Sequence, residues 1–297
     1  MSELIENYLT ELKHELSGSD AAIIQDALAD AEEHLRNALE FAGGTEKEPD
    51  EELIQSIISK YGSPQEIAQA YREIEAYTKP VLVERRMGEK KSSIQRFVGV
   101  LADSHAWGAL LYLTLSGITG VLYFTWAVSG LAISLGMMLL VIGLPFTALF
   151  LLSVRSIALM EGRMVEALLG VRMPRRPVFT NREAGRWEQV KVMMLEKRTW
   201  LAVLYMILQA PLGILYFGLF FTLISSAVLF IASPVLELVI TEPIIRLGPD
   251  VFYYLQGWQM VLLVVAGFLL LLGSMHLAKL LGRWHGALAR GLLVGTL

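Results

Sequence analysis

The sequence predicts an all-α protein in two parts. A cytoplasmic four-helix head over residues 1–80 leads through a basic linker, 81–105, into a four-span helical membrane domain over 106–297. That domain is expected to consist of two tandem two-helix repeats, about 106–170 and 199–297. Three observations carry the prediction. Charge is split along the chain: residues 1–80 hold six Lys/Arg and 18 Asp/Glu, a net of −12, while residues 81–297 hold 19 and 11, a net of +8. Apolar residues gather in charge-free runs, Ala106–Ser153, Trp200–Leu236 and Trp258–Ala278, against the roughly 20 residues that one span needs. A set of aromatic and glycine positions also recurs 93 residues apart.

The head reads as helices from apolar periodicity. The first, about 3–16, puts Leu4, Ile5, Tyr8, Leu9, Leu12 and Leu16 on one face. The second, about 20–42, buries Ile24, Ala27, Leu28, Ala31, Leu35, Ala38 and Leu39, and ends at Gly43-Gly44. Glycine closes a helix because it accepts the left-handed conformation. The third, about 50–60, presents Leu53, Ile54, Ile57 and Ile58. The fourth opens at Ser63-Pro64-Gln65-Glu66: Ser63 can cap it, Pro64 suits the first helical position, and Glu66 can close a capping box.

The first 30 residues are not a signal peptide: residues 1–16 alternate charge with hydrophobe and contain no apolar run. No lipidation box is present at either end. The N-terminus is therefore expected to stay in the compartment where it is made. An acidic head is a poor match for nucleic-acid phosphates or an anionic membrane surface, so no direct nucleic-acid partner is expected.

The head resembles the HAAS domain, a small helical bacterial signalling module. The matching residues are the Tyr-Leu spacing of the first helix, Glu32-Glu33-His34-Leu35 and Tyr61-Gly62-Ser63-Pro64-Gln65-Glu66-Ile67-Ala68. The resemblance implies a cytoplasmic interaction module, often encoded beside PadR-type transcription regulators. Glu33-His34-Leu35-Arg36 superficially resembles a kinase phosphoacceptor, but no nucleotide-binding loop accompanies it. His34 is expected to be a partly buried polar residue that caps or bridges helices.

Within the body, the first charge-free run is long enough for two spans, about 107–128 and 134–157, turning near Ser129-Gly130. Residues 154–199 carry ten Lys/Arg, and Lys279, Arg283 and Arg290 follow the last run. Positive-inside logic then places both termini in the cytoplasm and 237–257 outside. Residues 224–241 are expected to continue the third span or to break from it at Pro234. Trp107, Tyr112, Gly120 and Leu122-Tyr123-Phe124 recur as Trp200, Tyr205, Gly213 and Leu215-Tyr216-Phe217. Two repeats running the same way would share a two-fold axis along the membrane normal.

These positions, with Ile142-Gly143-Leu144-Pro145, Glu161-Gly162-Arg163, Leu168-Leu169-Gly170, Arg198-Thr199-Trp200 and Pro211-Leu212-Gly213, resemble the integral membrane sensor domain at the N-terminus of some bacterial histidine kinases. The resemblance implies signal sensing at the bacterial inner membrane. It supplies no ligand, and this sequence carries no kinase after the domain. Output is expected to leave through the head to a cytoplasmic signalling or transcription-regulatory protein, a PadR-type regulator or a kinase. Membrane lipids are the other expected partner, and homo-oligomers fit the pattern. The alternatives are a scaffold that recruits a cytoplasmic partner without sensing and, more weakly, a transporter or lipid-acting protein.

Chemistry is sparse. There is no cysteine, and the five histidines are scattered. No HExxH, GxSxG or phosphate-loop motif occurs, so no enzyme activity, metal or cofactor is expected. The apolar runs lack the charged residues that ion-coupled transport uses. Gly117, Gly120, Ser129, Gly130, Ser134 and Gly136 are expected to let helices approach closely rather than line a pore. Two stretches are candidate sites. Arg172, Arg175, Arg176, Arg182 and Arg186 can hold anionic lipid or dock the head, facing Asp30, Glu33, Glu51 and Glu52. Glu237, Glu242, Asp250, Tyr253 and Tyr254 form a candidate extracytoplasmic signal segment. Ordinary loop charge and interfacial tyrosines explain both stretches as well.

Overall fold

A computed structural model describes residues 3–42, 51–77, 93–137, 143–174, 194–239, 245–246, 252–253 and 256–294. Apart from one two-residue strand pair, its regular structure is helical. The head contains α1 (Glu3–Glu15), α2 (Ala21–Phe41), α3 (Glu51–Tyr61) and α4 (Pro64–Tyr77). Then come α5 (Ser93–Val98), a 3₁₀ turn (Gly99–Ala102), α6 (Ser104–Met137), α7 (Gly143–Leu169) and α8 (Lys197–Val239). Strands β1 (Ile245–Arg246) and β2 (Phe252–Tyr253) pair antiparallel, with Ile245 opposite Tyr253. The last helix is α9 (Gly257–Leu293).

The head forms as its periodicity predicts. Ile5, Tyr8, Leu12, Leu16, Ala27, Ala31, Leu35, Ile54, Ile57 and Ala68 make one buried cluster. The capping box at α4 is complete: Ser63 N–H donates to Glu66 Oε2 at 2.9 Å, and Glu66 N–H donates to Ser63 Oγ at 3.3 Å. Those bonds hold the Glu66 carboxyl below its ordinary pKa. Tyr8 Oη donates to the Gly62 carbonyl at 2.9 Å, tying α1 to the turn before α4. Gly62 sits at φ +115°, where a side chain would be strained. His34 stacks on Tyr61 at 4.7 Å, bridging α2 and α3.

Contacts divide the chain into two compact units, and the units do not follow chain order. One holds residues 1–83, 125–206 and 286–297; the other holds 84–124 and 207–285. Among the described residues, three helices have the length and apolarity to cross a membrane: Ser104–Met137, Lys197–Glu237 and Gly257–Leu293. The expected second span falls on α7. This helix carries Arg155, Glu161, Arg163 and Glu166 in its 27 residues and is not among those three.

Helix α6 runs through the expected turn at Ser129-Gly130. Gly130 serves packing instead: a Cβ there would lie 2.1 Å from the Phe150 ring of α7. Helix α8 likewise passes through Pro211 and Pro234 without ending. Residues 224–239 therefore continue it.

Within the second unit, α6 and α8 cross reciprocally. A Cβ on Gly120 would lie 2.4 Å from the Gln209 carbonyl oxygen, and one on Gly213 would lie 2.0 Å from that of Ser116. Residues 116 and 209, like 120 and 213, are 93 apart. The contacts advance along α6 as they fall back along α8, so the helices run in opposing senses through the crossing. An axis relating them there lies across the helices. The expected same-direction arrangement does not describe this contact.

Candidate functional site

The 93-residue spacing also relates polar contacts in the two units. In the second unit, Asp103 precedes α6 and accepts from Lys279 Nζ at 2.7 Å. Trp107 Nε1 donates to the Leu101 carbonyl at 2.8 Å. Tyr112 Oη lies 2.9 Å from His285 Nε2, and Gln209 Nε2 donates to Tyr112 Oη at 3.4 Å. The edge of Tyr216 also meets the buried His285 ring. Partial burial works against the Asp103 carboxylate, but the Lys279 contact and the His105 backbone N–H outweigh it. Together they hold its pKa below the ordinary value.

In the first unit, Glu196 precedes α8 and pairs with Arg155. Trp200 Nε1 donates to the Met194 carbonyl at 2.6 Å. Tyr205 Oη donates to Glu161 Oε1 at 2.9 Å. An acid before the helix, an indole bonded six residues back and a buried tyrosine thus recur in the same order. Only the partners differ.

The first unit also contains a cleft where the head meets the helices. Its walls are Arg155, Ala158, Leu159 and Gly162 of α7; Met173 and Pro174 beyond it; Glu196, Arg198, Thr199 and Ala202 around the start of α8; Leu293 of α9; and Gln25 of α2. Arg155 Nη2 also donates to Thr199 Oγ1 at 3.1 Å. Arg198 Nη1 donates to Gln25 Oε1 at 3.1 Å. A second bridge to the head joins Arg290 Nη2 to Asp20 Oδ2 at 2.9 Å. Asp20 also caps α2 through Oδ1, which accepts from Ala22 N–H at 3.0 Å.

Head and helices therefore meet through Asp20 and Gln25. Asp30 accepts from Tyr71 at 2.7 Å inside the head, and Arg172 lies 4.0 Å from Glu166. Arg175, Arg176, Arg182, Arg186, Glu242, Asp250 and Tyr254 lie outside the described residues. Glu237 is half-buried near the end of α8, and Tyr253 pairs through its backbone in β2. Sequence reasoning counted Arg155 and Arg198 in the basic stretch 154–199 without giving either a partner, and it missed Glu196. The signal that points to Glu196 is its place 93 residues after Asp103.

Long apolar helices preceded by a separate helical head define a membrane protein with an attached helical module. The chain belongs to the family described as Putative sensor, whose model matches residues 112–293, and an HAAS model matches residues 7–70. No curated protein and no solved structure matches it. A sensor domain joined to a HAAS module fits a general role in sensing and signalling.

Proposed function

We propose that this protein is a bacterial inner-membrane sensor that relays a membrane or extracytoplasmic signal to a cytoplasmic partner through its head. The observation that carries the reading is the pair of polar bridges, Asp20–Arg290 and Gln25–Arg198, that join the head to the helices. Asp20–Arg290 is an exposed ion pair, and such pairs contribute only about 0–1 kcal/mol each. Such a contact can be made and broken without unfolding either part, as a two-state relay requires. The head and the C-terminal end of α9 share one compact unit, which supports placing both termini on the cytoplasmic face. The recurring contacts at 93-residue spacing support the reading of the body as two tandem repeats. The partner is a transcription regulator or kinase recognising the helical head, and the chain itself performs no catalysis.

The test uses Asp20→Asn in affinity purification from native membranes. Asparagine still caps a helix as well as aspartate, so the substitution weakens the bridge to Arg290 while α2 keeps its start. A cytoplasmic regulator or kinase whose recovery changes between wild type and Asp20→Asn supports the relay. Equal recovery of the same partner from both supports a fixed scaffold, and the relay reading fails.

A further inference from the structure

We propose that the cleft between α2, α7 and α8 binds a phosphate group carried on an apolar chain, and that this ligand competes with Gln25 for Arg198. The proposal rests on the membrane reading and names the signal such a sensor detects. Arg155 and Arg198 bring two guanidinium groups to the cleft, and Glu196 is the carboxylate on its wall. Arg155 pairs with that carboxylate. Among the described residues Arg198 forms no ion pair and donates instead to the neutral amide oxygen of Gln25. A phosphate oxygen is a stronger acceptor than an amide, because charge-assisted bonds are shorter and about twice as strong as neutral ones. Thr199 adds a hydroxyl. The remaining wall is apolar: Ala158, Leu159, Met173, Pro174, Ala202 and Leu293. An inorganic anion has no use for that wall, whereas an acyl or similar chain does.

Position agrees with chemistry. Trp200, two residues beyond Arg198, is half exposed and points its indole N–H back to the Met194 carbonyl. Tryptophans of this kind mark the headgroup level of a bilayer. A phosphodiester headgroup at that level reaches Arg198 from the lipid side while Gln25 covers it from the head side. Occupancy by the anion therefore weakens the Gln25–Arg198 bridge to the head.

The experiment uses the full chain in phosphatidylcholine vesicles. Increasing fractions of phosphatidylglycerol form one arm, and inorganic phosphate at constant ionic strength forms the other. Retention of anionic lipid is read by native mass spectrometry. Head position is read by spin labels on cysteines at Ser17 and Gly291, both exposed in a chain without native cysteine. Phosphatidylglycerol should be retained and should lengthen the label separation. Arg198→Gln should weaken retention about tenfold, the loss of one charge-assisted bond. Gln25→Ala removes the competitor and should strengthen it. An equal response to inorganic phosphate would assign the site to free phosphate. Unchanged retention in both variants would overturn the proposal while the protein still floats with vesicles. Failure to float would overturn the membrane reading and this one with it.

Discussion

Replacing Gly213 by alanine tests the reciprocal crossing of α6 and α8. The new Cβ would stand 2.0 Å from the Ser116 carbonyl oxygen, where a relaxed C···O contact is about 3.3 Å. The obstructing atom is backbone, so no rotamer change relieves it, and the helices must part by about 1.3 Å at that point. Gly120→Ala imposes about 0.9 Å by the same subtraction from its 2.4 Å approach to Gln209. Overpacking of this kind costs about 1–3 kcal/mol. Alanine also favours helix over glycine by about 1 kcal/mol, which would mask part of the loss. Gly218→Ala removes that ambiguity. It lies on the same helix, and a Cβ there meets nothing within 4 Å. The quantity to measure is the stability difference between Gly213→Ala and Gly218→Ala, by denaturant unfolding in bicelles. It should be about 1–3 kcal/mol. The Gly120/Gly213 double variant should cost less than the sum, because one separation relieves both contacts. A difference between the two single variants within about 0.5 kcal/mol, the range of ordinary surface changes, would refute the close crossing.

Two further outcomes follow from the head and the termini. Burial raises the Glu32 carboxyl above its ordinary 4.5, with Arg36 pulling the other way, while the Ser63 bonds lower Glu66. Stability from a lowered acid is present above its unfolded pKa and lost as pH falls through its folded value. Stability from a raised one is present below the unfolded pKa and lost as pH rises through its folded value. Urea unfolding of fragment 1–78 across the acid range should therefore rise more steeply with pH in Glu32→Gln than in wild type, and less steeply in Glu66→Gln; parallel curves would refute the assignment. Single cysteines at Ser17 and Gly291 should both resist an impermeant thiol reagent in intact cells and react in inverted vesicles. Labelling of Gly291 alone in intact cells would place the termini on opposite sides.

The head was legible because its signals are local. Leu12, Leu16 and Leu35 are buried where a 3.6-residue period places them, and Ser63 with Glu66 announces its own cap within four residues. The body was legible in its apolarity and in its 93-residue recurrence, but less so in its boundaries. Ser129-Gly130 looks like a turn in sequence, yet glycine also permits close packing, and only the presence of Phe150 opposite decides between them. The cleft was legible only through Arg155 and Arg198, as members of the basic stretch 154–199. Gln25, Arg155, Arg198 and Leu293 come from four distant segments, and no periodicity in any one of them reports that they meet. Arg198 drew attention only as one of ten basic residues, and its neutral partner in the fold is what distinguishes it.

Asp20 divides its work between two oxygens. One caps α2 and the other receives Arg290, so giving up the arginine leaves the helix start bonded. On the proposed relay, departure of the head would then be a rigid-body step, without the folding barrier that an uncapped, fraying helix would add. Motions of that kind occur in microseconds to milliseconds. The speed of the response would be set by arrival of the signal and capture of the partner, and a released head would meet its partner already folded.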